Sequence, residues 1–248
     1  MNWKIKLNQK NYSINTDEPI DISIGLKSNG PNPNAFGIDE PKFIPFKAGD
    51  FIGSVPQGGP CNCENLIFNA HGNGTHTECM GHISNNRITI NEQLKEFIFQ
   101  SQLISLTPQK VNDDLIISAD LIPSNINNSE ALIIRTLPNS NYKLTKRYSG
   151  TNPAYFTNEA MKKIVSLGVK HLLIDLPSVD KENDEGKLST HHIFWDYPTN
   201  PRNGCTITEM IFVPTEIADG SYILNIQIAS FESDASPSKP ILYKLKND

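Results

Sequence analysis

The clearest periodicity in the chain lies between Phe156 and Gly168. Ala160, Met161, Ile164 and Val165 recur there at helical spacing, which makes one stripe of the segment apolar. Thr157 stands before the run as an N-cap, Glu159 puts negative charge in the first turn, and Gly168 supplies a C′ residue. The spacing predicts a helix opening at Phe156. The residues that follow, 169–176, contain Leu172-Leu173-Ile174 and predict a strand buried on both faces. Further strands are predicted at 103–106, 115–117 and Ala131–Thr136, and two more at 205–213 and 222–229, joined by 214–220 with Asp219-Gly220 as the turn. Residues 1–7 alternate polar and apolar positions and predict a first strand. A second helix is predicted over 90–100, with Leu94, Phe97 and Ile98 on its apolar face. The window 28–45 carries Asn, Gly and Pro throughout and predicts an irregular excursion. Strands outnumber helices and interleave with them, and nothing in the chain marks a repeat or a linker. The expectation is one mixed α/β domain over residues 1–248.

Composition narrows the function classes. Of 248 residues, 38% are apolar and 20% charged, an ordinary globular balance that excludes collagen, coiled coil and wholesale disorder. A net charge of −5 gives no electrostatic reason to expect nucleic acid, whose phosphates demand clustered cations. The apolar runs are far shorter than the ~20 residues needed to span a bilayer. Residues 1–7 lack the continuous apolar core of a signal peptide. The four cysteines, Cys61, Cys63, Cys79 and Cys205, are too sparse for a disulfide scaffold. They are expected to be reduced thiols in a cytoplasmic protein.

Candidate chemistry is concentrated in two histidine windows. The first holds His71, His76, Glu78 and His82 around Gly72 and Gly74. Imidazole nitrogen and carboxylate oxygen are the ligands that borderline divalent ions such as Zn²⁺ prefer. His76 and Glu78 are two apart, so an extended backbone points both to one face, and His82 keeps that parity. The glycines permit a tight turn that folds His71 back as a local bulge. The bland reading is a solvated, His-rich loop. The second window holds His191-His192 and, after a loop, Glu209 inside an apolar strand. A lone carboxylate there is costly unless paired or metal-bound; otherwise Glu209 faces solvent on an edge strand.

Other residues leave alternatives open. Cys79, among the histidines, is either a thiolate nucleophile or a small buried side chain. Cys61 and Cys63 could form half a zinc site, but no second pair follows. Asp175 and Asp180 flank Pro177, as turn carboxylates or as catalytic groups. His171 is expected to be structural. Phe194, Trp195 and Tyr197 fit a substrate pocket, and the first two fit a core equally well. No G-x-S-x-G elbow occurs, so a serine-hydrolase route lacks its nucleophile turn.

Several of these segments together resemble a known family. The run Gly74-Thr75-His76-Thr77-Glu78, with His82 six residues after His76, resembles the G-T-H-x-D-x-P-x-H signature of the cyclase family of metal-dependent hydrolases, which includes bacterial kynurenine formamidases. Asp21-Ile22-Ser23 resembles the family's D-L-S opening. Residues 153–174 followed by Asp175-Leu176-Pro177-Ser178-Val179-Asp180 are similar to its helix, buried strand and D-x-P-S-x-D segment. His191-His192-Ile193-Phe194-Trp195 resembles its H-x-x-L-L, and Glu209 its late strand glutamate. The similarity runs in one order over roughly residues 19–228.

The resemblance implies a swivelling β/β/α fold and one or two divalent ions, Zn²⁺ the first expectation and Mn²⁺ the second. It implies His76, Glu78, His191 and Glu209 as ligands, His71 completing the set, Glu78 bridging where there are two ions, and His82 as general base and acid. The implied substrate is a small molecule with an amide, lactam or ester carbonyl, and a homo-oligomer, dimer or tetramer, is expected. The alternative is a metal-binding member without catalysis, and retention of His82 favours the enzyme. Three departures cluster at the site. One residue is inserted between His71 and His76, Glu78 replaces the usual Asp, and Met80 replaces the usual Pro. The interval from His191 to Glu209 is also longer than in the formamidases. The formylkynurenine substrate therefore does not follow from the resemblance.

Overall fold

Apolar strands buried on both faces need a packing layer on each side, and here a closed sheet supplies one and helices the other. In the computed structural model, which describes residues 1–7, 9–28 and 30–247, seven strands form a mixed barrel. Their order is Gly220–Ile228, Ile98–Leu106, Ala131–Thr136, His171–Ile174, Thr206–Glu209, His76–Glu78 and Ala235–Lys244, and the last pairs back to the first. Ile20–Asp21 adds to the outer edge of Ala235–Lys244. The run from Ile98–Leu106 to Thr206–Glu209 is parallel. His76–Glu78 pairs antiparallel with both its neighbours.

Alternate residues of the parallel strands feed two cores. Leu103, Ile133 and Leu173 cluster inside the barrel, with Leu224 of the antiparallel neighbour. Leu132, Ile134, Leu172 and Ile174 face outward, against Met161 and Ile164 of the helix Asn158–Ser166 and Phe194 and Trp195 of the helix Ser189–Trp195. Each such aliphatic side chain contributes about 1.5–3 kcal/mol by leaving water. The helix Asn158–Ser166 has its expected ends. Thr157 accepts a hydrogen bond from the Ala160 N–H, and Gly168 turns at φ +80°. Both helices lie on crossovers between parallel strands, which fixes them on the outer face.

Three expectations change, and one strand arises where none was expected. The second helix is a single turn, Ile90–Gln93, held by a capping box between Thr89 and Glu92. The chain then extends, and Ile98–Leu106 is a nine-residue strand. The Leu94, Phe97, Ile98 spacing is helical, but Phe97 and Ile98 are exposed, and strands on both sides offer this backbone partners that a helix would refuse. The predicted strand 205–213 stops at Glu209, because Met210 adopts φ +51° and donates to Leu176 O instead. Ala235–Lys244 closes the barrel although Pro237 and Pro240 argue against a central strand. The window 28–45 is irregular until Lys42–Pro45, which pairs with Glu64–Ile67; Asn29 lies outside the described residues. Asn2–Leu7 is a strand as expected, hairpinned with Lys10–Asn15 in a small separate sheet.

His171 is structural. Its ring lies against Phe99, centroids 3.9 Å apart, with Nδ1 2.9 Å from Thr206 Oγ1. Burial pushes its pKa down to about 4. The unfolded chain binds a proton near pH ~6.5 that the folded chain refuses, so this stability is complete above that pH and is lost as pH falls toward 4. The full loss is about 3 kcal/mol. His171→Gln should flatten the fall in unfolding free energy between about pH 7 and about pH 4.5, measured by denaturant titration. Equal slopes in the two proteins would contradict it.

Candidate metal centre

The site is built on the three-residue strand His76–Glu78, buried along its whole length. Register sets Glu209 opposite His76 and Thr208 opposite Thr77. Thr77 and Thr208 therefore share the inner face, where their hydroxyls meet at 2.8 Å. His76, Glu78 and Glu209 share the outer face, under the helix that carries His191.

Each imidazole is oriented from behind. His76 Nδ1 lies 3.0 Å from Gly74 O and donates to it. That leaves Nε2 as the acceptor nitrogen. It is buried without a hydrogen-bond partner, 3.5 Å from Glu209 Oε2. A Cβ at Gly74 would lie 2.9 Å from Leu26 Cδ2, so a side chain there would displace Leu26. His191 Nδ1 faces Asp180 Oδ2 at 2.6 Å, and Asp180 also accepts from the Thr190 and His191 amides. Asp180 thus caps the helix Ser189–Trp195 and aims His191 Nε2 at Glu78 Oε1, 3.1 Å away, with Glu209 Oε1 at 3.9 Å.

His71 lies on a single helical turn, Ala70–Asn73. Within that turn Asn73 Oδ1 accepts from the Asn69 amide, so His71 is presented from helical backbone and not from the expected bulge. Its Nδ1 is 3.1 Å from Glu78 Oε2 and its Nε2 2.8 Å from Asp234 Oδ2. His82 sits on the turn Met80–Ile83, part-exposed, 3.9 Å from Glu78 Oε2 and 3.5 Å from Asp234 Oδ2. Gly81 keeps that turn close to the chain, because a Cβ would fall 1.9 Å from Ile88 O.

The electrostatics are those of buried anions served by imidazoles. Burial opposes a charge on Glu78, but His82, His191 and His71 outweigh it and hold its pKa well below the usual value. Burial and the charge of Glu78 push Glu209 up. Burial also disfavours charged His71 and His191, yet Asp234 and Glu78 raise the first to about 10, and Asp180 and Glu78 raise the second to about 10. Three sets of donors lie within 4.8 Å of one another: His71, His76 and Glu78; His71, His82 and Asp234; and Glu78, His82 and His191. Nitrogen and carboxylate oxygen donors, with one acceptor nitrogen orphaned in the interior, fit a borderline divalent cation. Glu78 directs one oxygen at His191 and the other at His71, so it stands between two donor groups.

A cavity of about 280 Å³ opens on this cluster, walled by Phe36, His82, Lys181, Glu182 and Leu188. The aromatic residues expected there lie elsewhere. Phe194 and Trp195 are fully buried in the outer core, and Tyr197 bonds Ser84 Oγ through its hydroxyl. His192 turns away to Tyr197 O. Burial pushes the Cys79 thiol up to about 12, which removes it as a nucleophile. Cys61 and Cys63 are exposed and unpaired. Asp175 is a structural carboxylate, 2.7 Å from Lys143 Nζ and bonded to Thr136. Asp234 carries no signal in the sequence. It enters through the Ala235–Lys244 strand, whose register sets Ala235 beside Glu78.

Comparison with known proteins places the chain in a family. The family model Cyclase ("Putative cyclase") matches residues 20–181. A kynurenine formamidase of Bacillus cytotoxicus is 24% identical over 191 residues, covering 76% of this chain and 83% of that protein. One of Bacillus cereus is 23% identical over 236 residues, covering 92% and 99%. The crystal structure of an isatin hydrolase bound to thioisatinate aligns with a TM-score of 0.67 at 15% identity, covering 92% of this chain and 93% of that one. With the match extending over well over half its length, and the histidine–carboxylate cluster built on the matched strand, the chain belongs to the cyclase family.

Proposed function

We propose that the protein is a metal-dependent hydrolase, arylformamidase-like in reaction class, that cleaves an amide, lactam or ester bond of a small molecule. The observation that carries this reading is His76 Nε2, a buried nitrogen without a hydrogen-bond partner, converging with Glu78, Glu209 and His191 beneath an open cavity. The relatives named as kynurenine formamidases and the isatin hydrolase neighbour support the reaction class.

His71, His76, Glu78, His191 and Glu209 would hold one or two divalent ions, with Zn²⁺ first and Mn²⁺ second. When bound, the cation supplies Lewis acidity to a carbonyl and makes its water more acidic. The chain's own residues do the rest. His82 is the one imidazole of the cluster on the cavity side that the ligand set does not use. Its Nδ1 faces Asp234, so a proton held there is shared with a carboxylate, and Nε2 is free to take a proton from the attacking water and return it to the leaving nitrogen. Asp180 and Asp234 keep His191 and His71 aimed at Glu78. Phe36 and Leu188 give the cavity an apolar wall. Glu78 is one methylene longer than the Asp of the family signature, so its carboxylate would hold a cation further from its own backbone. For that reason N-formylkynurenine, isatin and aryl esters are all candidates to assay.

Two outcomes are expected. Protein purified without chelator should contain a divalent ion by elemental analysis, and His76→Ala and Glu78→Ala should lose it. Because His71 and His191 carry protons in the metal-free chain at neutral pH, Zn²⁺ uptake at pH ~7 should release on the order of two protons, and affinity should rise with pH. Uptake without proton release would show that these imidazoles are not ligands. His82→Ala should keep its metal and lose about 10²–10⁴-fold in kcat on an amide, with a smaller loss on an activated ester whose leaving group needs no proton. Loss of metal would make His82 a ligand, and unchanged kcat would remove it from the reaction.

A further inference from the structure

A second cavity, of about 450 Å³, lies at the carboxyl ends of the parallel strands. Thr107 follows Ile98–Leu106, Thr136 ends Ala131–Thr136, and Leu176 follows His171–Ile174; all three line it. Crevices outside the carboxyl ends of parallel strands are a recurrent place for ligands in α/β sheets. The volume lies in the range of small-molecule pockets.

Its polarity is opposite to that of the metal centre. No Asp or Glu lines it, whereas two lysines do. Lys143 is neutralised by Asp175 at 2.7 Å. Lys146 has no carboxylate within ion-pair range among the described residues, and its Nζ sits 4.8 Å over the centre of the Tyr148 ring. Burial and the nearby charge of Lys143 lower its pKa, as they would for an ammonium without a counter-ion. The cavity therefore carries one unbalanced positive charge beside an aromatic face. Tyr142, Pro108, Pro138 and Pro153 add flat, rigid walls, and the Ser140 hydroxyl adds a polar edge. A single charge suits a monoanion better than a doubly charged phosphate, and flat walls suit a ring.

We propose that this cavity binds an aromatic monocarboxylate, its carboxylate on Lys146 Nζ and its ring against Tyr142, Tyr148 and the prolines. The site is separate from the metal centre, and the inference does not depend on the hydrolase reading. The two are nevertheless joined by one segment. Leu176 lines this cavity, Ser178 lines the metal pocket, the Val179 amide donates to Glu209, and Asp180 holds His191.

The test is calorimetric titration of the metal-loaded protein with phenylacetate and with its uncharged analogue phenylacetamide. Phenylacetate should bind saturably, and phenylacetamide at least about tenfold more weakly, the cost of losing a charge-assisted contact. Lys146→Gln, checked for an unchanged melting temperature, should weaken phenylacetate by roughly 10–100-fold, and Lys146→Arg should restore most of the affinity. His76→Ala, which empties the metal centre, should leave binding intact. The proposal is overturned by no saturable binding at about 10 mM, by equal affinity for the amide, or by full affinity in Lys146→Gln. Loss of binding in His76→Ala alone would seat the carboxylate at the metal centre and overturn it as well.

Discussion

Two glutamates buried side by side on the outer face of a barrel set the terms for everything around them. The ion-pair partners of Glu78 and Glu209 among the described residues are all histidines. Strand pairing prevents the carboxylates from separating, because Glu209 is locked opposite His76 and Ile207 opposite Glu78. Their charge can be met in two ways, by protons held on the surrounding imidazoles or by a cation that displaces those protons. The raised pKa values of His71 and His191 are the first solution expressed without metal. Removing one partner from such a buried arrangement costs on the order of 3–5 kcal/mol, so the cluster is held together by the same charges that make it chemically useful.

The outer carboxylates make this arrangement specific. Asp180 spends its oxygens on two helix amides and on His191 Nδ1, so capping a helix and aiming an imidazole are one act. Asp234 does the equivalent for His71 and faces His82 as well. It reaches them because Ala235–Lys244 closes the barrel beside His76–Glu78, and the Cys79 amide donates to Asp234 O. Barrel closure and alignment of the histidines are therefore linked through a single strand junction.

Much of this was legible from residue order. The period-2 relation of His76 and Glu78 announced a shared face, and the apolar setting of Glu209 announced a carboxylate that needed a partner. Thr157 and Gly168 marked the ends of the helix Asn158–Ser166. What was hidden depended on pairing between distant segments. The stretch 98–100 was expected to finish a helix, because Leu94, Phe97 and Ile98 fit helical spacing, and only its neighbours in the sheet make it continuous with the expected strand 103–106. Ala235–Lys244, which carries two prolines, was not among the expected strands, and Asp234 stands just before it. The pocket wall was sought in Phe194 and Trp195, yet helix packing turns both into the core, and Phe36, from the irregular segment, takes that place. The Glu78 and inserted-residue departures were visible, but the helical turn that carries His71 was not.

The central claim is that the orphaned nitrogen of His76 is a metal ligand on the outer face of the barrel. X-ray absorption at the metal edge tests it most directly, on the wild-type protein and on His76→Ala reloaded with the same ion. The account predicts only nitrogen and oxygen neighbours at about 2.0–2.2 Å, with an imidazole scattering signal that falls by one ring in the variant. A sulfur neighbour at about 2.3 Å, or an unchanged imidazole count in His76→Ala, would contradict it.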